Sequence, residues 1–189
     1  MSHRACLRRR AQVLLALAVL LPGTAGAAVF ETQEQALSRV FPAPARVVRS
    51  TSFLSPEQQE SARKVAQAPV ESAVVTRYAA FGADGTLLGT AYFDAHVVRT
   101  ASEVLMVVVA PDRSVRSVDV LAFGEPRDYL PRAGWLERVE GRRAEDGLFV
   151  GRALAHVTGA TLTTRAIATA VRRVLALDAL LGPPVPGKK

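Results

Sequence analysis

One stretch near the C-terminal end has residue types and spacing suited to chemistry. Val157-Thr158-Gly159-Ala160-Thr161-Leu162-Thr163-Thr164 sets four threonine hydroxyls around a glycine, directly before a long helical pattern. A helix that starts here leaves its first backbone N–H groups without intrahelical partners and carries the positive end of the helix dipole. Those are the conditions for holding a phosphate. Gly159 opens backbone conformations closed to other residues, and Ala160 adds little bulk beside it. The hydroxyls of Thr158, Thr161, Thr163 and Thr164 are suited to capping the helix, binding an anion or accepting a covalent group. A threonine without an adjacent base does not attack a phosphate unaided, so a covalent bond here requires a second enzyme.

Other chemistries find little support. The sequence lacks a G-x-S-x-G elbow, a Walker A loop, a G-x-G-x-x-G fingerprint and an H-E-x-x-H helix. No catalytic residue and no metal site is expected, because beyond the leader only His96 and His156 remain as histidines. His96 reads either as a group that tunes a bound cofactor or as a surface histidine. Tyr129 and Trp135 are the aromatics available to stack on a ring, and Trp135 reads equally well as a core anchor. Glu125 and Asp128 lie in a charged loop and read as solvated charges or as the rim of a pocket.

The N-terminus explains most of the chain's basicity. Residues 1–27 open on Arg4, Arg8, Arg9 and Arg10, continue through the apolar run Val13–Leu21 and end on Ala25-Gly26-Ala27. This is the pattern of a secretory signal peptide, and its apolar run is too short for a membrane span. The formal charge of +7 includes those four arginines. Without them, 20 basic and 17 acidic residues leave +3. A nucleic-acid partner therefore loses its main electrostatic support. Cleavage also removes Cys6, the sole cysteine, so the exported chain is expected to fold without disulfides. No transmembrane segment is expected after cleavage, and the predicted location is the periplasm, with peripheral contact to the inner membrane as an option.

The elements that must position the turn follow from periodicity and punctuation. Thr32 to Val40 reads as a short helix stopped by Phe41-Pro42, and Ala45 to Phe53 as a strand. Ser55-Pro56-Glu57-Gln58 is a capping box with proline at the first helical position, predicting a helix to about Ala66. Ala73–Phe81 and Thr86–Phe93 form one predicted hairpin around Asp84-Gly85. Val104–Val109 and Val115–Phe123 form a second, with the first of these strands buried on both faces. Gly124–Pro131 reads as a loop, Ala133–Val139 as a short helix, and Leu148–Leu154 as a strand or extended segment. The last helix is predicted from Leu162 to about Leu181, with Ile167, Val171, Val174, Leu177 and Leu181 on one stripe. The expected fold class is α+β: a mostly antiparallel sheet packed with helices in a single domain, ending in a long C-terminal helix. The expected organisation is a leader over 1–27, an N-terminal extension over 28–72, the main domain over 73–182 and a tail over 183–189.

Thr158-Gly159-Ala160-Thr161, followed by Leu162-Thr163-Thr164 and a helix, resembles the S/T-G-A-T signature of the FMN-binding domain family. That family includes the periplasmic flavin-carrying subunits of the sodium-translocating NADH:quinone reductase and of the Rnf complexes. The resemblance extends over about Val74 to Leu181. It implies FMN attached through its phosphate to the hydroxyl of Thr161, by a Mg-dependent flavin transferase that uses FAD as donor. Thr158, Gly159, Ala160, Leu162, Thr163 and Thr164, which share the turn with Thr161, and His96, by the reading given above, are the other residues expected to bind the cofactor. A membrane redox complex or a cytochrome would be the electron partner. The sequence departs from the pattern at Ala155, where the family usually has aspartate six residues before the acceptor threonine. Two other readings remain open: an exported binding module of this fold without flavin, and a flavin reductase acting on a small molecule.

Overall fold

A computed structural model of the chain describes residues 27–184. Residues 1–26, which hold nearly all of the expected leader, and 185–189 at the tail lie outside the described residues. Among the described residues, no helix is long and apolar enough to cross a membrane.

A six-stranded, wholly antiparallel sheet forms the frame. Its strands are β1 (Ala28–Val29), β2 (Arg46–Phe53), β3 (Val74–Phe81), β4 (Leu87–Val98), β5 (Ala101–Val109) and β6 (Val115–Phe123). They lie in the order β1-β6-β5-β4-β3-β2, so β2 to β6 run as a meander and β1 closes the far edge. The two predicted hairpins are present, and β4 and β5 are longer than predicted. They pair from Thr90↔Val109 to Val98↔Ala101, turning at Arg99-Thr100. Arg99 has φ +55°, and no glycine, asparagine or proline marks this turn in the sequence. β1 was not predicted, and it brings Ala28 against Phe123 and Val29 against Ala122.

The helices are α1 (Gln33–Val40), α2 (Pro56–Ala66), α3 (Ala133–Leu136) and α4 (Thr161–Leu181). The Thr32–Gln35 and Ser55–Gln58 capping boxes start α1 and α2, the latter as the sequence predicts. Strand alternation divides the sheet into two faces. Ala36 and Phe41 close over Ala80, Ala91, Met106, Val108 and Leu121 on one face. The larger core lies on the other, where Ile167, Val171, Val174 and Leu177 of α4 meet Tyr92, Leu105, Val107 and Val118. Leu148 and Leu154, both fully buried, join this core from a turn. The expected strand over Leu148–Leu154 is therefore absent: the segment folds back on itself, with one bridge between Val150 and Leu154.

Two consecutive arginines fix α4 in place. The Arg172 guanidinium donates to the carbonyl of Ala66 at 2.9 Å and of Leu148 at 2.8 Å. It thus meets the negative end of α2 while lying 4.1 Å from the centre of the Phe149 ring. Arg173 grips Asp94 of β4 through two hydrogen bonds of 2.8 Å. At the far end the Tyr92 hydroxyl donates to Asp178 at 2.8 Å, and Arg77 donates to the Gly182 carbonyl at 2.6 Å. With the middle and end of α4 held in this way, its first turn has a fixed position over the β4–β5 end of the sheet.

Candidate functional site

The threonine-rich turn leads into α4 as the sequence predicts, with one shift in roles. Thr161 is the first helical residue and Ala160 is the cap, without a side-chain capping bond. Thr158 is therefore not the helix cap, one of the roles open to it from sequence. Gly159 and Ala160 separate it from the helix, and a cap must immediately precede the first helical residue. Gly159 has φ +85°, a conformation that side chains resist, and a Cβ placed there would meet nothing within 4 Å. Gly159→Ala is expected to cost about 1–2 kcal/mol through the backbone alone, read as a lower urea midpoint with an unchanged slope. An unchanged midpoint would contradict this account of the turn.

The hydroxyls divide by direction. Thr158 is exposed, and Thr161 is half-buried with its Oγ1 donating to the Val157 carbonyl at 3.2 Å. Thr163 and Thr164 are buried, and Thr164 Oγ1 donates to the Thr161 carbonyl at 3.1 Å. Leu162 projects outward, 46% exposed. The first α4 hydrogen bond from the cap is Thr164 N–H to the Ala160 carbonyl at 2.9 Å, which leaves the N–H groups of Thr161, Leu162 and Thr163 without helical acceptors.

These groups border a cavity of about 230 Å³. Gly159, Thr161, Leu162 and Thr163 form one wall, while Val98 and Arg99 of the β4–β5 turn, with Glu125 and Tyr129, form the other. The opposite wall is tightly built. Glu125 accepts from the N–H groups of Thr100 and Ala101 and from the Thr100 hydroxyl, at 2.9 to 3.1 Å. The Thr100 N–H is the main group holding its carboxyl below the usual range. Gly124 lets this loop press against β5: a Cβ there would come within 2.8 Å of Ala101 Cβ. The Arg99 guanidinium lies 5.0 Å from the centre of the Tyr129 ring. The sequence reading missed Arg99, and its sole trace there is the break that Arg99-Thr100 makes in an otherwise apolar alternation.

The residue set suits an anionic end group: a cation, three N–H groups without helical acceptors, and one carboxylate already engaged with backbone. A volume of about 230 Å³ is below that of pockets enclosing a whole organic ligand, so the cavity is sized for an end group and not for an entire one.

The other sequence candidates lie around this centre. Trp135 is 5% exposed, and its indole N–H donates to the Ala155 carbonyl at 2.9 Å, anchoring α3 to the start of the turn. Ala155 and His156 are exposed, as is Asp128 in the 3-10 turn Arg127–Tyr129. His96 does not line the 230 Å³ cavity. It opens onto a separate groove of about 800 Å³ between β4, α4 and the segment before β3.

His96 is the centre of a buried charged row. Nδ1 lies 2.9 Å from Asp94 Oδ1 and Nε2 lies 2.9 Å from Glu103 Oε2. Burial alone would lower the imidazole pKa, but hydrogen bonds with Asp94 and Glu103 outweigh it and raise the value to about 9. Burial would likewise raise Asp94, but His96 and Arg173 hold it down at about 2. Burial dominates at Glu103 and pushes its carboxyl up. The raised His96 value means that its contribution to stability is complete below its ordinary 6.5 and is lost as pH rises through about 9. Glu103, also raised, acts with the same sign, whereas the Asp94 contribution is lost only as pH falls toward about 2. Urea unfolding is expected to show stability falling by up to about 3 kcal/mol between pH 6.5 and 9. His96→Gln should flatten that slope, and an equal slope in the variant would assign it to another group.

No family model matches the chain, and no curated protein matches it by sequence. Among solved structures, the fold is similar to the crystal structure of Shewanella oneidensis NqrC, with a TM-score of 0.52 and 16% identity. The similarity covers 79% of this chain and 90% of that one.

Proposed function

We propose that this chain is an exported electron-transfer flavoprotein that carries FMN through a phosphoester to Thr161. The observation that supports this reading best is the position of Thr161. Thr161 is the first residue of α4 and lines a cavity that Arg99 also lines, at the helix start whose N–H groups have no helical acceptors. A phosphodiester there meets a cation and the positive end of a 21-residue helix. Likeness of fold to NqrC and the resemblance of the turn to the FMN-binding family point the same way. FMN would supply the redox chemistry. The chain would contribute Thr161 as attachment point, Arg99, Leu162 and Thr163 as phosphate neighbours, and Tyr129 as an aromatic surface.

In this reading the leader sends the chain to the periplasm, where a flavin transferase joins Thr161 Oγ1 to the FMN phosphorus of FAD. The pyrophosphate bond breaks, AMP leaves, and the hydroxyl proton passes to the transferase. A membrane redox complex or a cytochrome then exchanges electrons with the loaded protein. Intact-protein mass spectrometry of chain exported alongside a flavin transferase tests the reading. The expected mass is that of the processed chain plus FMN less one water, with flavin fluorescence persisting on the denatured polypeptide. The bare processed mass would instead favour an exported binding module without flavin, the reading to which Ala155 gives weight.

A further inference from the structure

Glu103 is an uncommon residue to find in the middle of a sheet face. It is 0% exposed, and while Oε2 meets His96, Oε1 has no hydrogen-bond partner. A carboxylate fixed in its charged form would need both oxygens satisfied at such a place. An oxygen without a partner suits a carboxyl group that gains and loses a proton.

Its location gives that exchange a destination. His96↔Glu103 and Val98↔Ala101 are alternate rungs of one regular ladder and therefore share a face, about 7 Å apart along the strands. Val98 lines the cavity at the start of α4, and His96 lines the open groove. The imidazole–carboxyl pair thus stands between water in the groove and the site proposed above. Asp94 holds the other ring nitrogen and is itself paired with Arg173, so it orients the ring. The other charged groups facing this region are Arg165 and Glu71 along the groove and Arg99 and Glu125 at the cavity. Both ring nitrogens of His96 lie 2.9 Å from a carboxylate oxygen, which is the geometry for passing a proton along the row.

We propose, resting on the flavin reading above, that His96 and Glu103 form a proton-exchange pair for the site at the start of α4. When a one-electron donor protein delivers an electron to a flavin tethered at that site, the added negative charge would raise the proton affinity of Glu103. His96 passes its Nε2 proton to Glu103, which comes to hold it on the unpartnered Oε1, so that Oε2 again accepts from Nε2 once the ring regains a proton from the groove. One electron in is matched by one proton in, and oxidation reverses both. Glu103 and His96 are positioning and proton-holding residues in this scheme, and neither needs to touch the cofactor.

Reduced-minus-oxidised infrared difference spectra of flavin-loaded protein test the proposal. The wild type should show a protonated-carboxyl C=O band appearing on reduction and shifting in D2O. The band should vanish in Glu103→Gln, and in His96→Gln it should grow in at least tenfold more slowly. If Glu103→Gln does not fold, wild type labelled with 13C at glutamate carboxyls decides: the band must shift with the label. Absence of the band, its persistence in folded Glu103→Gln, or its failure to shift with the label would overturn the proposal alone. A matured chain that carries no flavin, read by mass, would overturn the proposal together with the reading on which it rests.

Discussion

A Thr161→Ala chain, exported beside a flavin transferase, is expected to be recovered folded and colourless, with attached flavin reduced from near full occupancy to below detection. The substitution removes the acceptor oxygen and little else. Thr161 is half-buried and loses one hydrogen bond of 3.2 Å to the Val157 carbonyl, worth about 1 kcal/mol. Alanine's better helix propensity offsets part of that loss. Thr161→Ser keeps the hydroxyl and should keep some of the flavin. Thr158→Ala changes the first residue of the signature but keeps the acceptor hydroxyl, and should lower occupancy without abolishing it. Ala155→Asp introduces, at an exposed position, the acid usual in the family that the turn resembles, and should raise occupancy under limiting transferase. Denaturing gel fluorescence with intact mass measures all four. Flavin retained on Thr161→Ala would move the attachment to another residue.

Asp94→Ala is expected to destabilise the fold by about 3 kcal/mol, because it removes the carboxylate that two shielded cations share and leaves His96 with Glu103 and Arg173 with the Pro69 carbonyl. Asp94 accepts both Arg173 hydrogen bonds and one from His96, and its side chain is 11% exposed. Arg173 and His96 are comparably shielded, at 18% and 14%. For a domain of this size the loss corresponds to a melting temperature lower by roughly 10 °C. Asp94→Asn, which keeps an acceptor oxygen, should lose less. Adding Arg173→Met to Asp94→Ala should recover part of the loss, since the guanidinium left without its carboxylate is then absent. Thermal and urea unfolding read these differences. A loss below about 1 kcal/mol for Asp94→Ala would mean that the row behaves like an exposed salt bridge.

Much of the frame was legible because local signals and tertiary packing agree. The Ser55-Pro56-Glu57-Gln58 start, the Asp84-Gly85 turn and the apolar stripe of α4 are each written within one short window, and each element forms where predicted. What escaped depends on partners distant in sequence. β1 is two residues long and exists because β6 offers it an edge nearly a hundred residues later. The β4–β5 turn has no conventional turn residue, so Arg99 was read as part of an unassigned stretch and its place on the cavity wall was hidden. His96 was legible as a candidate. Its companions Asp94, Glu103 and Arg173 were not, since strand register and helix docking bring them together. Leu148–Leu154 failed as a strand because two buried leucines in a folded-back turn give the same local pattern as an extended run.

The short strand β1 also sets where the described chain begins in the fold. Ala28 lies against Phe123, two residues before Glu125 on the cavity wall. The described chain therefore begins, at residue 27, beside the cavity, and the opposite edge of the sheet, at β2, is the one turned away. In the flavoprotein reading, a leader still seated in lipid would keep this end of the molecule on a short leash, about 3.3 Å per intervening residue. Severed from it, the same fold would become a diffusing shuttle. Cutting the leader would then set the distance over which such a carrier works, while the architecture stays the same.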